Sequence, residues 1–262
     1  MGRKSLSKRQ RKWLVRTNVV LLAAFCLWHF GVTALFVLEA RYVGWKFPAV
    51  YRAPLELADS SISPSPGRTL SYFGYEFEVP WDDLNEGKTK QIGKMQMIPF
   101  RSGNALLFSR MPPKDFVRTF LSSTKADPEN IRNLWGADAL ESDYALNQLI
   151  LETTPGQFTL LSHREVAARG AMLLLSKGIM MPGGGESGIF RVRTERFQGF
   201  QFGDPQSRPK SLSVEMFSDD VGLSFIFAQR EDGIAPAITQ AEINRVLRTA
   251  RKVPEEAQSA DR

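Results

Sequence analysis

The chain is poor in the residues that most enzymes use for chemistry. It holds one cysteine, Cys26, and two histidines, His29 and His163, in 262 residues. A lone cysteine closes no disulfide within the chain, and counting all but excludes a zinc site built from thiolates and imidazoles. A serine or cysteine nucleophile that relies on histidine needs an imidazole close by. His29 falls inside a long apolar run, and His163 opens an expected capped helix, an ordinary exposed place. The glycine run GGGESG around Ser187 fails as a G-x-S-x-G elbow, because Ile189 stands where the last glycine belongs. It fails as a phosphate loop too, since no Gly-Lys-Ser/Thr follows it. The acidic clusters Asp82-Asp83-Glu86 and Asp219-Asp220 lack the spaced ligands and central glycine of a calcium loop. No motif implies a cofactor.

Positive charge is also scarcer than the net +6 suggests. Seven of the 34 cations (Arg3, Lys4, Lys8, Arg9, Arg11, Lys12 and Arg16) precede the apolar run with no acid among them, which leaves 27 cations against 28 acids. The body of the chain therefore carries no bulk electrostatic footprint for DNA or RNA, and no nucleic-acid partner is expected.

What the chain does have is a greasy stretch. Val19 to Leu38, VVLLAAFCLWHFGVTALFVL, contains no formal charge. About twenty residues at ~1.5 Å each match the ~30 Å hydrocarbon core of a bilayer. Trp13 near one end, and Tyr42 and Trp45 past the other, suit the headgroup zone. The basic flank comes first, whereas Glu39, Arg41, Lys46, Arg52, Glu56 and Asp59 after the run balance one another. The positive-inside rule then places the N-terminus in the cytoplasm and the remainder in the periplasm or outside the cell. A cleavable signal peptide is the rival reading, with Val32-Thr33-Ala34 as its cleavage site. Apolar residues continue past that site, and the run exceeds a usual signal core, which favours a retained anchor. His29 within it reads as a tolerated polar group or a contact to a partner helix.

Residues 1–17 thus read as a basic cytoplasmic tail, 18–38 as a transmembrane helix, 39–68 as a juxtamembrane linker containing DSSISPSPG, 69–253 as one domain, and 254–262 as a disordered tail. The domain opens with the alternation of Phe73, Tyr75, Phe77 and Val79, which predicts a strand. A second strand is expected over Gln91–Phe100, and the turn RSGN joins it to a third, ALLFS. Helices are expected over 114–123, after the Asp127-Pro128 cap, around Tyr144–Ile150, and from a Ser162–Glu165 capping box to about Lys177, with Leu161 and Val166 as its staple. Ile189–Phe202 reads as one long strand with a bulge at Thr194–Phe197. Leu212–Met216 and Leu223–Phe227 form a hairpin through SDDVG. A second capping box, Thr239–Glu242, starts the last helix, stapled by Ile238 and Ile243. The fold class is α+β: an antiparallel sheet covered by helices, preceded by one N-terminal transmembrane helix.

The aromatic opening SYFGYEFEVPW and the closing helix ITQAEINRVLRTARK, in this order of elements, resemble the PsbP/DcrB-like fold of extracytoplasmic proteins across roughly residues 69–253. The resemblance implies an accessory or assembly role exercised by binding partners. It assigns no functional residue, and fold alone fixes no function.

The one basic cluster of the domain is Arg191, Arg193 and Arg196, with Phe197, Phe200 and Phe202 beside it. It is the candidate contact for anionic lipid or an acidic partner, set against the plainer account of a solvated sheet face. The function expected is a single-pass, membrane-anchored, extracytoplasmic binding or assembly module of the cell (inner) membrane. It is expected to be non-catalytic, to meet membrane lipid through the N-terminal helix, and to bind an envelope protein. Two alternatives stand beside it. One is an envelope hydrolase using Asp and Glu carboxylates, at least one with a raised pKa. The other is a carrier of lipid or another hydrophobic ligand. The topology makes a direct prediction. In opened cells with intact inner membranes, external protease digests the bulk of the chain, and N-terminal sequencing of the mature protein finds no cut after Ala34.

Overall fold

In a computed structural model the described residues are 8–57, 61–65, 67–180, 188–207, 210–229 and 237–254. The glycine run with Ser187, the tail from residue 255, and Arg3 and Lys4 lie outside them, as does the side chain of His29. In chain order the elements are α1 (Lys8–Lys46), β1 (Leu55–Glu56), β2 (Arg68–Tyr72), β3 (Tyr75–Val79), β4 (Lys90–Ile92), β5 (Met95–Pro99), β6 (Ala105–Met111), α2 (Asp115–Thr124), α3 (Pro128–Trp135), α4 (Asp143–Glu152), α5 (Arg164–Met180), β7 (Ile189–Arg193), β8 (Gln198–Phe202), β9 (Ser211–Phe217), β10 (Gly222–Ala228), α6 (Gln240–Thr249) and β11 (Arg251–Lys252). The chain is mixed α+β with a large, mainly antiparallel sheet and six helices among the described residues. It forms two compact units, one of Met1–Tyr51 with Thr153–Met180, the other of Arg52–Glu152 with Met181–Arg262.

The first unit is a helix pair. Helix α1 is long and apolar enough to be a membrane span or a signal sequence. Its early apolar residues, Val19 to Leu22 and Phe25, are exposed. From Thr33 onward it buries one stripe, and Val37, Ala40 and Val43 meet Phe158, Ala167 and Leu174. Gly170 makes room for Phe158 within this packing: a Cβ there would fall 2.2 Å from its ring. The burial of Ala40 and Val43 against this packing is why the helix runs on to Lys46 through residues expected to begin a linker. Helix α5 reaches Met180 rather than stopping at Lys177. Its expected cap and staple are used otherwise: Ser162 Oγ accepts from the Thr159 N–H at 3.0 Å, and Leu161 and Val166 are both exposed.

The second unit is built on two sheets. The larger has the order β1-β7-β8-β9-β10-β6-β5-β4, parallel only between β1 and β7, and the smaller has β11-β3-β2. Alternation along β9 and β10 turns Leu212, Val214, Met216, Leu223, Phe225 and Phe227 into a shared core with Phe77 and Val79 of the small sheet and Ile243, Val246 and Leu247 of α6. Phe77, Phe108 and Phe225 stand 4.9 to 5.3 Å apart, ring centre to ring centre, and lock the two sheets together. On the other face Tyr144 of α4 stacks on Phe200 of β8 at 5.5 Å. The Asp127 cap and the Thr239–Glu242 capping box both form as the sequence predicts.

Three expected strands are hairpins instead. Phe73 and Gly74 form the turn between β2 and β3, with φ of 55° and 77°. That turn normally asks for Asn-Gly, and a bulky residue at positive φ is an outlier. Here the Phe73 ring leans on Phe108 at 6.1 Å, which offsets the strain. Gly93 divides Gln91–Phe100 into β4 and β5, and residues 194–197 turn β7 back into β8 without a bulged strand. Gly199 of β8 lies so close to β9 that a Cβ would reach within 1.8 Å of the Glu215 carbonyl oxygen. Phe225→Ala is expected to destabilise the protein by about 3–5 kcal/mol, the usual cost of a Phe-sized cavity. Gly199→Ala is expected to lower the melting temperature as well, by parting β8 from β9. Chemical and thermal unfolding of the detergent-solubilised protein checks both.

Candidate functional site

The three arginines singled out by the sequence do not form one site. Arg191, on β7, is committed to two carboxylates, bonding Glu56 at 2.9 Å and Glu152 at 3.0 Å. These bonds hold its pKa above the usual guanidinium value. Arg193 shares its face of the strand and is exposed, and Arg196 is exposed in the β7–β8 turn. Arg191 and Arg193 line one shallow cavity, Arg196 its neighbour, and the two share Thr194 and Arg248. Glu76, Glu78 and Glu195 line the second, so the charge there is mixed. The phenylalanines beside them, Phe197, Phe200 and Phe202, are buried in the core and offer nothing to a lipid.

A more concentrated positive site lies where two hairpin turns meet the ends of β6 and β11. Phe73, Gly74 and Tyr75 come from the first turn, Gln91, Gly93 and Lys94 from the second, Arg110 and Pro112 from β6, and Lys252 from β11. Together they line an open groove of about 680 Å³ with three cations and no carboxylate. None of the three is paired with a carboxylate among the described residues. The Arg110 guanidinium lies over the Tyr75 ring, 5.7 Å from its centre, a cation–π contact that orients it. Burial pushes the Tyr75 hydroxyl above its usual pKa, with Arg110 opposing and the Asp220 carboxylate adding to the rise, so this phenol stays protonated at neutral pH. The Val253 N–H donates to the Gly74 carbonyl at 2.9 Å and ties the strand bearing Lys252 to the aromatic turn. Chemically the groove can accept phosphate, sulfate or carboxylate groups beside a flat apolar surface. Sequence reading missed it because its cations are spread from residue 94 to residue 252.

The carboxylates offer one perturbed acid. Burial raises the pKa of Glu215 on β9, and repulsion from Asp143 raises it further. Asp143 is buried, and its Oδ1 accepts the Val117 N–H at 2.9 Å, which caps the start of α2. Neither acid lines any of the four cavities described above or below. Among the described residues no group of three or more His, Cys, Asp or Glu is placed to hold a metal ion. Lys177 of α5 is fully buried, and its ammonium donates to the Thr153 carbonyl at 2.9 Å.

Comparison with known proteins adds no relative: no family model, no curated protein and no solved structure matches the chain.

The raised pKa of Glu215 has a signed consequence. Between the ordinary value of 4.5 and its raised value, the folded state binds more protons than the unfolded state, so stability falls as pH rises through that window. Glu215→Gln removes this part of the slope. Unfolding midpoints measured from pH 4 upward should decline less steeply for the variant than for the wild type.

Proposed function

We propose that the chain is a membrane-anchored binding module whose second unit takes an anionic ligand or partner segment in the groove of Lys94, Arg110 and Lys252. The groove carries this reading: three cations from three separate strands and turns converge around two aromatic side chains, and no carboxylate is among its lining residues, the charge of Asp220 reaching it only through Tyr75. Helix α1 is the retained anchor, with its basic start in the cytoplasm and the second unit on the far side of the cell membrane. The accessory or assembly role implied by the PsbP/DcrB-like resemblance agrees with a site that binds without reacting. The hydrolase reading has one observation behind it, the raised pKa of Glu215, an acid that lines none of the four described cavities. The carrier reading finds its phenylalanines packed into the core.

The test is a titration of the full-length protein in lipid nanodiscs with polyphosphate as the probe anion. Three exposed charge pairs at ~0.5 kcal/mol each amount to about tenfold in affinity. Reversal of all three cations (Lys94→Glu, Arg110→Glu, Lys252→Glu) is therefore expected to weaken binding by about tenfold or more, and Arg193→Glu with Arg196→Glu to leave it nearly unchanged. Equal effects of the two sets, or none from the first, overturn the proposal.

A further inference from the structure

The pairing of α1 with α5 fixes how far the foot of α5 reaches along α1. Trp28, Phe30 and Thr33 share one cavity of about 390 Å³ with Leu161 to Glu165. Further along, Ala167 and Leu174 meet Val37, Ala40 and Val43, and a Cβ at Gly178 would stand 3.0 Å from the Phe47 ring. The two helices therefore run parallel, and the start of α5 is level with the later part of the α1 apolar run. That run ends at Leu38, and Glu39 and Arg41 beyond it are exposed and charged. At ~1.5 Å per residue, Thr33 lies about 8 Å, and Trp28 about 15 Å, on the apolar side of Leu38.

At this level the chain turns, and its outermost residues are leucines. Leu160 is 54 % exposed and Leu161 87 % exposed. The turn bonds to itself. The Thr159 N–H donates to Ser162 Oγ at 3.0 Å, the Leu161 N–H to Thr159 Oγ1 at 3.3 Å, and the Ser162 N–H to the Thr159 carbonyl at 3.0 Å. Non-helical backbone survives in hydrocarbon only when its polar groups are satisfied from within the protein. Three of the turn's N–H groups are occupied from within it and its tip is Leu-Leu, which lowers the cost of a shallow entry into the acyl region. His163, Arg164 and Glu165 follow the tip and are exposed, so the turn enters only as deep as lets these groups reach the lipid headgroups, the Arg164 stem being long enough to carry its charge back to the phosphates. Lys177 faces inward and holds Thr153, which anchors the strand of chain leading down to the turn.

We infer that the Thr159–Ser162 turn is a second membrane contact, in which Leu160 and Leu161 enter the acyl region of the outer leaflet beside α1. It rests on the reading of α1 as a retained span. The occupant is lipid, because the same apolar run that places α1 in the bilayer places this turn at acyl depth.

The test labels single cysteines with an environment-sensitive fluorophore in full-length protein carrying Cys26→Ser, reconstituted in phosphatidylcholine vesicles with doxyl-labelled acyl chains. The positions are Leu161→Cys, Leu22→Cys on the exposed part of α1, and Arg101→Cys on the second unit. The expected result is blue-shifted, doxyl-quenched emission at positions 22 and 161 and unquenched, water-like emission at 101. Quenching at 22 with water-like emission at 161 overturns this inference and leaves the anchor intact. Water-like emission at both overturns the anchor with it. Blue-shifted but unquenched emission at 161 overturns the inference in favour of burial against a second copy of the chain.

Discussion

Three phenylalanine rings bear on most of what the second unit does. Phe77 belongs to the small sheet, Phe108 and Phe225 to the large one, and their mutual contacts make two sheets into one core. The groove sits at the rim of that contact. Phe73 holds its unfavourable backbone conformation because its ring rests on Phe108, Tyr75 extends from the strand that carries Phe77, and Arg110 follows two residues after Phe108 on β6. The register between the sheets therefore sets the spacing of the groove, and a shift of one strand by one residue would turn these side chains to the opposite face.

The parts of the fold legible in the sequence are those whose cause is local. Asp127 before Pro128, the reciprocal bonding of Thr239 and Glu242, and the SDDVG turn each need only a few adjacent residues, and each forms. The hairpins that looked like single strands have no such signature. Phe73 in a left-handed turn continues the aromatic alternation without a break, and residues 194–197 turn the chain without a glycine or proline. The Ser162 box is a local signal that lost to a competitor, because Thr159 took the hydroxyl. The groove is illegible for a different reason: its cations belong to elements that only the folded topology brings together. The arginines at 191, 193 and 196 stood out because they are adjacent, and the structure gives the first of them to Glu56 and Glu152.

Several charges on the second unit are answered in pairs. Arg68 meets Glu86, Arg251 meets Glu76, and Arg245 bonds Glu78 at 3.0 Å while donating to the Ser63 carbonyl. Exposed pairs of this kind add little stability. Their effect is to cancel charge locally, whereas the groove of Lys94, Arg110 and Lys252 has no carboxylate among its lining residues.

The helix pair of the first unit is assembled from stretches more than a hundred residues apart in the chain. Cutting the polypeptide after residue 51 to obtain a soluble fragment would leave α5 inside that fragment without its companion. Ala167, Leu174 and the glycine seam at 170 and 178 would then face water, next to Met172, Leu175 and Ile179, which are exposed already. Such a fragment would carry a helix with a broad uncovered apolar surface and would tend to precipitate or cling to detergent. Helices α1 and α5 are for this reason a single engineering object, and useful shortened forms must remove α5 together with α1 or keep both.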